Sequence, residues 1–284
     1  MKLITWNIQW CRGCDGMVDP ARIIRACREM ADFDVLCFQE VARNFAGLDG
    51  SRGEDQFALL AGAAPGFALI EGIAVDQLAP DGARRQFGNA ILSRLPVLQV
   101  FRHLLPWPAD ASAPSMQRVA VEAVLQASFG AVRVTTTHLE YYSETQRAAQ
   151  VERLRGLQAE ASGHSRDAGR SDKEGGPFAP LPRPASSIVT ADFNFRPEDS
   201  LHARLQAPIG AGIPSYCDSW EIRNPGKPHP PTLGVHDKEQ WPEDPFCCDF
   251  IFVSEDLAAR VEEVSVDQST DASDHQPVLL SLRD

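Results

Sequence analysis

No stretch of this chain approaches the roughly 20 consecutive apolar residues of a membrane-spanning helix. The opening Met1-Lys2-Leu3-Ile4-Thr5-Trp6-Asn7 has neither the apolar h-region nor the cleavage site of a secretory signal, and reads as a strand. Basic charge is scarce. The 27 Lys and Arg face 39 Asp and Glu, for a formal net charge of -12. Such a surface repels duplex nucleic acid at long range, which argues against non-specific nucleic-acid binding as the main role. Regular cysteine spacing is missing too. Seven cysteines, an odd number without an export signal, read as free thiols, and the expected compartment is the cytosol. Cys11-Arg-Gly-Cys14 and Cys247-Cys248 would make a zinc site only if three or four thiolates converged, and free thiols in loops are the expectation. No short-period repeat is present.

What remains is an ordinary globular composition. The chain has 284 residues and 43% hydrophobic content, enough for a sizeable core in one domain. Residues 2–8 alternate as a strand. Asp19 caps a helix from Pro20 to Met30 that carries Ile23, Ile24 and Cys27 at helical spacing. The run 34–38 predicts a buried strand. Further strands are expected over 66–71, 88–93, 97–101, 119–125 and 131–137, with a hairpin turn at Gly130. A helix is expected over 145–161, with Val151, Leu154, Leu157 and Ala161 on one face, and strands follow at 187–190, 250–253 and 278–282. Residues 163–184 are rich in Gly, Pro, Ser and charge and predict a mobile surface insertion inside the single domain 1–284. Residues 224–246 hold six prolines and read as irregular. Many short strands, few helices and polar residues at strand ends predict an α/β (α+β) fold: a four-layer α/β/β/α sandwich of two mostly antiparallel sheets packed face to face, with flanking helices.

Six short motifs carry the chemistry. They are Ile4-Thr5-Trp6-Asn7, Phe38-Gln39-Glu40, Thr137-His138-Leu139, Ala191-Asp192-Phe193-Asn194, Cys248-Asp249-Phe250 and Ser273-Asp274-His275. Each sets an Asn, Asp, Glu or His beside an apolar run. Together they supply carboxylates for a hard divalent cation, amides and imidazoles for a phosphate, and carboxylate partners for the imidazoles. Taken singly, most suit bland readings: a turn-capping Asn7, an Asx turn at Asp192-Phe193-Asn194, a turn at Ser273-Asp274-His275. Those readings leave unexplained a second Asp, Asp249, that opens an apolar strand. Asp192 and Asn194 are two apart, so an extended backbone turns both to one side, and Arg196 continues the alternation.

In these motifs the chain resembles the endonuclease/exonuclease/phosphatase superfamily, of the deoxyribonuclease I and exonuclease III type, from Asn7 to His275. The resemblance implies a Mg²⁺-dependent phosphoric ester hydrolase, with Mn²⁺ as an alternative ion. It makes Glu40 the principal metal ligand, with Asn7 and Asp274 completing the shell. Asp192 would activate the attacking water and Asn194 would hold it or a phosphoryl oxygen. His275, oriented by Asp249, would stabilise transition-state charge, and His138 would contact phosphate. Arg196, Asn89 (in Gly88-Asn89-Ala90) and Tyr141 would bind or position substrate, with Glu140 and Tyr142 beside the pocket. Gln9 stands where several nuclease relatives carry Asp, which removes one outer carboxylate. The expected partner is a phosphoester: a small molecule, a lipid headgroup or a nucleic-acid end. A monomer is expected. Asp-x-Asn-x-Arg and Thr-His-Leu-Glu lean toward phosphodiesterases of the tyrosyl-DNA type, so a nuclease or repair phosphodiesterase is the alternative substrate class. A catalytically inactive binding protein of the same fold is a further alternative, opposed by the filled catalytic positions.

Overall fold

In the computed structural model, which describes residues 1–167, 176–179 and 181–284, the chain runs in order through β1 (Lys2–Asn7), α1 (Pro20–Met30), β2 (Val35–Arg43), α2 (Gln56–Ala63), β3 (Ala68–Leu78), β4 (Arg84–Ser93), β5 (Val97–Leu104) and β6 (Val119–Ala127). It continues with β7 (Gly130–His138), α3 (Glu144–Arg166), β8 (Ser187–Asp192), α4 (Ser200–Gln206), β9 (Tyr216–Asp218), α5 (Ser219–Arg223), β10 (Asp249–Ser254), β11 (Val261–Val266) and β12 (Val278–Leu282). The strands form two six-stranded sheets, ordered β11-β12-β1-β2-β4-β3 and β5-β6-β7-β8-β10-β9. Each sheet has a single parallel pair, β1 with β2 and β7 with β8; every other pairing is antiparallel. A parallel pair needs a crossover, and α1 and α3 provide it. This is the expected four-layer sandwich.

Period-two alternation sorts the side chains into three cores. Leu3, Cys37, Ile91, Ala123, Val134, Ile188 and Ile251 fill the space between the sheets. Ile4, Trp6, Leu36 and Phe38 face outward from the first sheet and bury Ile23, Ile24, Phe57 and Leu60 of α1 and α2. Val189, Ala191, Phe250 and Phe252 face outward from the second and bury Val151, Leu154 and Leu157 of α3 and Leu205 of α4. The Asp19 carboxylate accepts from Arg22 N and caps α1, as its sequence predicts. Gly130, at φ +122°, makes the tight turn between β6 and β7, a conformation that favours glycine.

Toward one end of the sandwich the inter-sheet core turns polar. Gln39 Nε2 donates to Thr5 Oγ1 at 3.1 Å and to Thr136 Oγ1 at 2.8 Å, and all three residues are buried. Thr5 and Gln39 lie on the first sheet and Thr136 on the second, so this layer ties the sheets together just below the site.

Two local expectations change. Helix α3 runs on to Arg166, past the start of the predicted insertion at 163. Near the far end of that segment, Arg183 is buried. It donates to Glu122 Oε1 at 3.2 Å and lies 4.5 Å over the Phe101 ring. Arginine's long stem and planar head suit such a buried anchor, which composition alone conceals. The mobility expected of the centre of this segment falls mostly on residues outside those described.

Glu122 is fully buried among Arg133, Arg183 and His103. Burial alone would push its carboxyl up, but nearby His103, 3.7 Å away, and the two guanidinium charges outweigh it and hold the group at about 2. A carboxyl depressed on folding contributes stability above its unfolded pKa, and that contribution is lost as pH falls from about 4.5 toward 2. Glu122→Gln is therefore expected to cost about 3 kcal/mol at pH 7, the scale for breaking a buried ion pair. The gap from wild type should shrink toward pH 3. Urea unfolding at the two pH values checks this; a gap independent of pH contradicts it.

Candidate active site

The two parallel pairs end side by side at the polar end of the sandwich. Asn7 closes β1 and pairs in register with Gln39 of β2; His138 closes β7 opposite Asp192, which closes β8. Asp249 opens β10 and is also opposite Asp192, because that pair is antiparallel. Asp274 and His275 precede β12, the antiparallel neighbour of β1. Strand direction thus delivers five of the six motifs to one cleft.

Glu40 needs a further device. The β2–β4 register shifts between Phe38 and Val41, and Glu40 takes φ +61°. This left-handed bulge, costly for a residue with a Cβ, turns its carboxylate out of the pleat. Asn194 takes φ +53°, and its backbone N–H donates to Asp192 Oδ1 at 3.0 Å.

The Asn7 amide sits at the centre. Its Oδ1 accepts from Gln9 N at 3.1 Å, so its NH₂ faces Asp192 Oδ2 at 3.0 Å, Glu40 Oε1 at 3.3 Å and His275 Nε2 at 3.4 Å. Asn7 therefore presents hydrogens to the two carboxylates and holds them together; the expectation that it is itself a metal ligand is not what this orientation favours. His275 Nδ1 is 2.8 Å from Asp249 Oδ2, which also accepts from Thr232 Oγ1 at 2.6 Å. Burial pulls the His275 pKa down, but Asp249, Asp274 and Asp192 outweigh it and raise the group well above its ordinary value. These carboxylates favour the charged imidazolium form of His275.

His138 is the opposite case. Burial first, then the Arg118 and His275 charges, push its pKa well below the usual range. The Asn194 amide donates to Leu139 O at 2.9 Å and lies 3.0 Å from His138 Nε2. The neutral ring therefore accepts at Nε2 and carries its proton on Nδ1, which lies 3.6 Å from Glu40 Oε1. Nε2 thus meets Asn194, while Nδ1 is buried without a hydrogen-bond partner, and His138 lines the cleft as the sequence suggested. Two histidines in one cleft with opposite charge states divide donor from orienter.

Burial, then Asp274 and Asp192, raise the Glu40 carboxyl to about 7, against the lowering effect of His275. Burial, then Asp249, raise Asp192 to about 6. Two raised carboxyls, Asp192 buried and Glu40 partly exposed, fit a divalent cation, whose charge would favour their ionised forms. The donors are hard oxygens, which suits Mg²⁺ or Mn²⁺. Asp274 is less open. Its Oδ2 accepts from Gln9 Nε2 and Trp241 Nε1, each at 3.0 Å, and its Oδ1 from Ser273 Oγ at 3.2 Å. Cys248 is close to Asp192 and His275, but burial and Asp249 raise its thiol well above the ordinary value, so no thiolate is offered.

Two predicted substrate residues do not join the cleft lining. Asn89 is buried and donates to Val119 O at 2.9 Å, pinning β4 of one sheet to β6 of the other. Arg196 lies 4.1 Å over the Phe246 ring, facing solvent. The alternation Asp192-Asn194-Arg196 fails because β8 ends at Asp192 and the left-handed Asn194 breaks the pleat. Tyr141 does line the cleft, a cavity of about 500 Å³. Lining residues that escaped sequence reasoning include Trp10, Arg118, Gln240 and Trp241. Trp10 belongs to a left-handed turn, Gln9 to Cys11, that no pattern signals. Gln240 and Trp241 come from the proline-rich segment 224–246, whose Thr232 and Leu233 backbone bonds strap it to Gln276, Phe246 and His275.

A second polar cluster lies outside the cleft. Asp218 Oδ2 accepts from His202 Nε2 at 2.8 Å and His229 Nε2 at 2.9 Å. Asp218 N donates to Gln206 Oε1, which turns the Gln206 NH₂ toward His202 Nδ1. The His202 proton is thereby placed on Nε2 toward Asp218, and the cluster forms a hydrogen-bonded brace, with Glu221 close by.

Fold and site define a class: two-sheet α/β sandwiches with a carboxylate–imidazole cleft at the strand ends. The chain belongs to the Endonuclease/Exonuclease/phosphatase family, whose model matches residues 4–275. Among solved structures it is similar to an endonuclease/exonuclease/phosphatase from Beutenbergia cavernae, at 24% identity and TM-score 0.66, over 100% of this chain and 71% of that one. It is also similar to a mannosyl-6-phosphatase from Bacteroides thetaiotaomicron, at 17% identity and TM-score 0.68, over 100% of both chains. A third similar structure is D. rerio TDP2 complexed with single-strand DNA product, at 19% identity and TM-score 0.65, over 100% of this chain and 99% of that one. At these identities the likeness is one of fold. No curated protein matched the chain. No helix among the described residues is long and apolar enough to cross a membrane.

The raised Glu40 carboxyl has a thermal consequence. A carboxyl whose folded pKa lies above its unfolded one favours folding less as pH rises from about 4.5 through 7. Glu40→Gln should therefore raise the melting temperature of metal-free protein at pH 8 by a few degrees and leave it unchanged near pH 4. Scanning calorimetry in EDTA checks this; a lower melting temperature at pH 8 contradicts it.

Proposed function

We propose that the protein is a divalent-cation-dependent hydrolase of phosphate esters, a phosphodiesterase in the first instance, acting by in-line attack of water. The observation that carries this reading is the surroundings of Asp192. Its carboxyl, raised to about 6, has Asn7 Nδ2 at 3.0 Å and the His275 imidazolium Nε2 at 3.7 Å. Such a carboxylate is a competent base near neutral pH, since its proton affinity approaches that of the medium.

The residues divide the work. Asp192 accepts a proton from the attacking water. Asn194, whose NH₂ is committed to Leu139 and His138, keeps its Oδ1 to accept from the same water. His275 donates Nε2–H to a non-bridging phosphoryl oxygen as charge develops there, and Asp249 keeps it protonated and aimed. Mg²⁺, or Mn²⁺ in its place, would be held chiefly by Glu40, with Asp274 reached through water, and would supply positive charge to the phosphoryl oxygens.

A second reading, a phosphodiesterase acting on nucleic-acid ends, is favoured by the likeness to the D. rerio protein solved with a single-strand DNA product. The net charge of -12 opposes it for duplex substrates. An inactive binding protein is disfavoured, because every group this mechanism needs is present and converges.

Activity should vanish after exhaustive EDTA treatment and return with Mg²⁺. Asp192→Asn and His275→Ala should each lose about 10²–10³ in kcat, the scale for a single charge-stabilising group. KM should change little, because the lost interactions form mainly in the transition state. A phosphodiester rate assay beside a thermal melt tests this. Folded variants that turn over at the wild-type rate overturn the proposal.

A further inference from the structure

The polar cluster outside the cleft gathers a second set of metal-ligating side chains. His202 comes from α4, Asp218 from the end of β9, Glu221 from α5 and His229 from the strap 224–246. Each offers one donor atom, two imidazole nitrogens and two carboxylate oxygens, and the four atoms lie within 4.8 Å of one another. His202 Nε2 and His229 Nε2 already meet on one oxygen, Asp218 Oδ2, at 2.8 and 2.9 Å. Four donors bound tetrahedrally to zinc stand about 3.3 Å apart, so small side-chain shifts would enclose an ion.

A hydrogen-bonded brace explains His202, Asp218 and His229 and has no use for Glu221. Among the described residues neither acid of the cluster forms an ion pair with a Lys or Arg. Two carboxylates this close repel, and a divalent cation offsets both charges. His202 and Asp218 are buried, whereas Glu221 is exposed and His229 partly so, which leaves one side open to an entering ion. The supporting shell is firm. Trp220 N donates to Asp218 Oδ1 at 2.8 Å, and the rings of Phe195, Phe250 and Phe252 pack around His202. Outer contacts of this kind fix the orientation of ligands.

We infer that His202, Asp218, Glu221 and His229 form a Zn²⁺ site that clips the strap 224–246 to the second sheet. Imidazole nitrogens suit zinc, while Mg²⁺ and Mn²⁺ prefer the oxygen donors of the cleft. For the ion to take Nε2, the His202 proton moves to Nδ1. Gln206 Oε1, which accepts from Asp218 N, turns to accept from that Nδ1–H as well. His229 carries its proton on Nδ1 too, so neither neutral ring loses one. The strap otherwise rests on single bonds: Thr232 Oγ1 donates to Asp249 Oδ2 at 2.6 Å, and Gln276 N to Thr232 O at 2.7 Å. An ion on His229, three residues before Thr232, closes the loop that begins at Asp218 and restricts its open states. A narrow cavity lined by Asp218, His229, Thr232 and Asp249 joins this clip to the groups behind His275.

Calorimetric titration of the metal-free protein with Zn²⁺, in excess Mg²⁺, tests this without any substrate. One Zn²⁺ per chain should bind. Glu221→Gln and His229→Gln should each weaken that binding by at least about tenfold, a scale that even outer partners of a bound ion reach. Glu40→Gln, which alters the cleft, should leave it unchanged. Co²⁺ in place of Zn²⁺ should show the visible absorption of a four-coordinate tetrahedral ion, and His229→Gln should lose it. Circular dichroism confirms that each variant is folded; should His229→Gln not fold, the exposed Glu221→Gln decides alone. Absence of saturable Zn²⁺ binding overturns the site. Binding that Glu40→Gln weakens and Glu221→Gln does not puts the ion in the cleft and overturns it equally.

Discussion

The structure depends on the pairing of two parallel strand pairs inside otherwise antiparallel sheets. β1 lies parallel to β2 and β7 parallel to β8, so the carboxyl ends of four strands point the same way. Face-to-face packing of the sheets then sets Asn7 and Glu40 opposite His138 and Asp192. The antiparallel neighbours β10 and β12 contribute residues at their starts, which lie at the same end. Nothing about any one motif creates the site; strand direction does. The cost is electrostatic. Glu40, Asp192, Asp249 and Asp274 crowd together where water is scarce, and the raised Glu40 and Asp192 carboxyls record that crowding. The buried layer of Thr5, Gln39 and Thr136 gives the hydrophobic core a polar ceiling, so the charged groups do not face hydrocarbon directly.

The same crowding produces division of labour. His275 collects three carboxylates and stays charged; His138, beside Arg118, stays neutral. Identical side chains are set to different tasks by their neighbours alone. Backbone strain contributes as well. Gln9, Trp10, Cys11, Glu40 and Asn194 all take positive φ, and all except Cys11 line the cleft. Left-handed conformation in non-glycine residues persists where surrounding contacts over-determine it. Here those contacts include the Gln9 N–H to Asn7 and the Asn194 N–H to Asp192.

Much of this was legible in the sequence. α1 runs from Pro20 to Met30 with its Asp19 cap, and β12 runs from Val278 to Leu282, because proline, capping and alternation are local signals. Asn7, Glu40, His138, Asp192, Asn194, Asp274 and His275 meet in one cleft because most motifs sat at readable strand ends, whereas Glu40 sits at a bulge inside β2, and Asp249 stands behind His275. Their individual orientations were not legible. The Asn7 amide direction depends on a hydrogen bond from Gln9, and the His138 tautomer depends on Leu139 O, both products of tertiary structure. Arg196 read equally as a phosphate contact or a solvated charge; the first reading carried alternation past the end of β8, and the side chain is exposed. Asn89 was read as a substrate contact when it ties the two sheets. Short α2, α4 and α5 carry too few turns to show a period. Arg118, Gln240 and Trp241 lie in or beside irregular segments, where periodicity says nothing and only packing against distant strands assigns a role.

The central claim is that these converging strand ends build a divalent-cation site on Glu40. Calorimetric titration of the metal-free protein with Mn²⁺ tests it most directly, because it reads the ion and not a substrate. The account predicts saturable binding of one ion per chain, since Asp274 is already engaged by Gln9, Trp241 and Ser273. It also predicts at least tenfold weaker binding in Glu40→Gln, on the scale of losing one ligand. Absence of saturable binding, or an isotherm unchanged by Glu40→Gln, would contradict it.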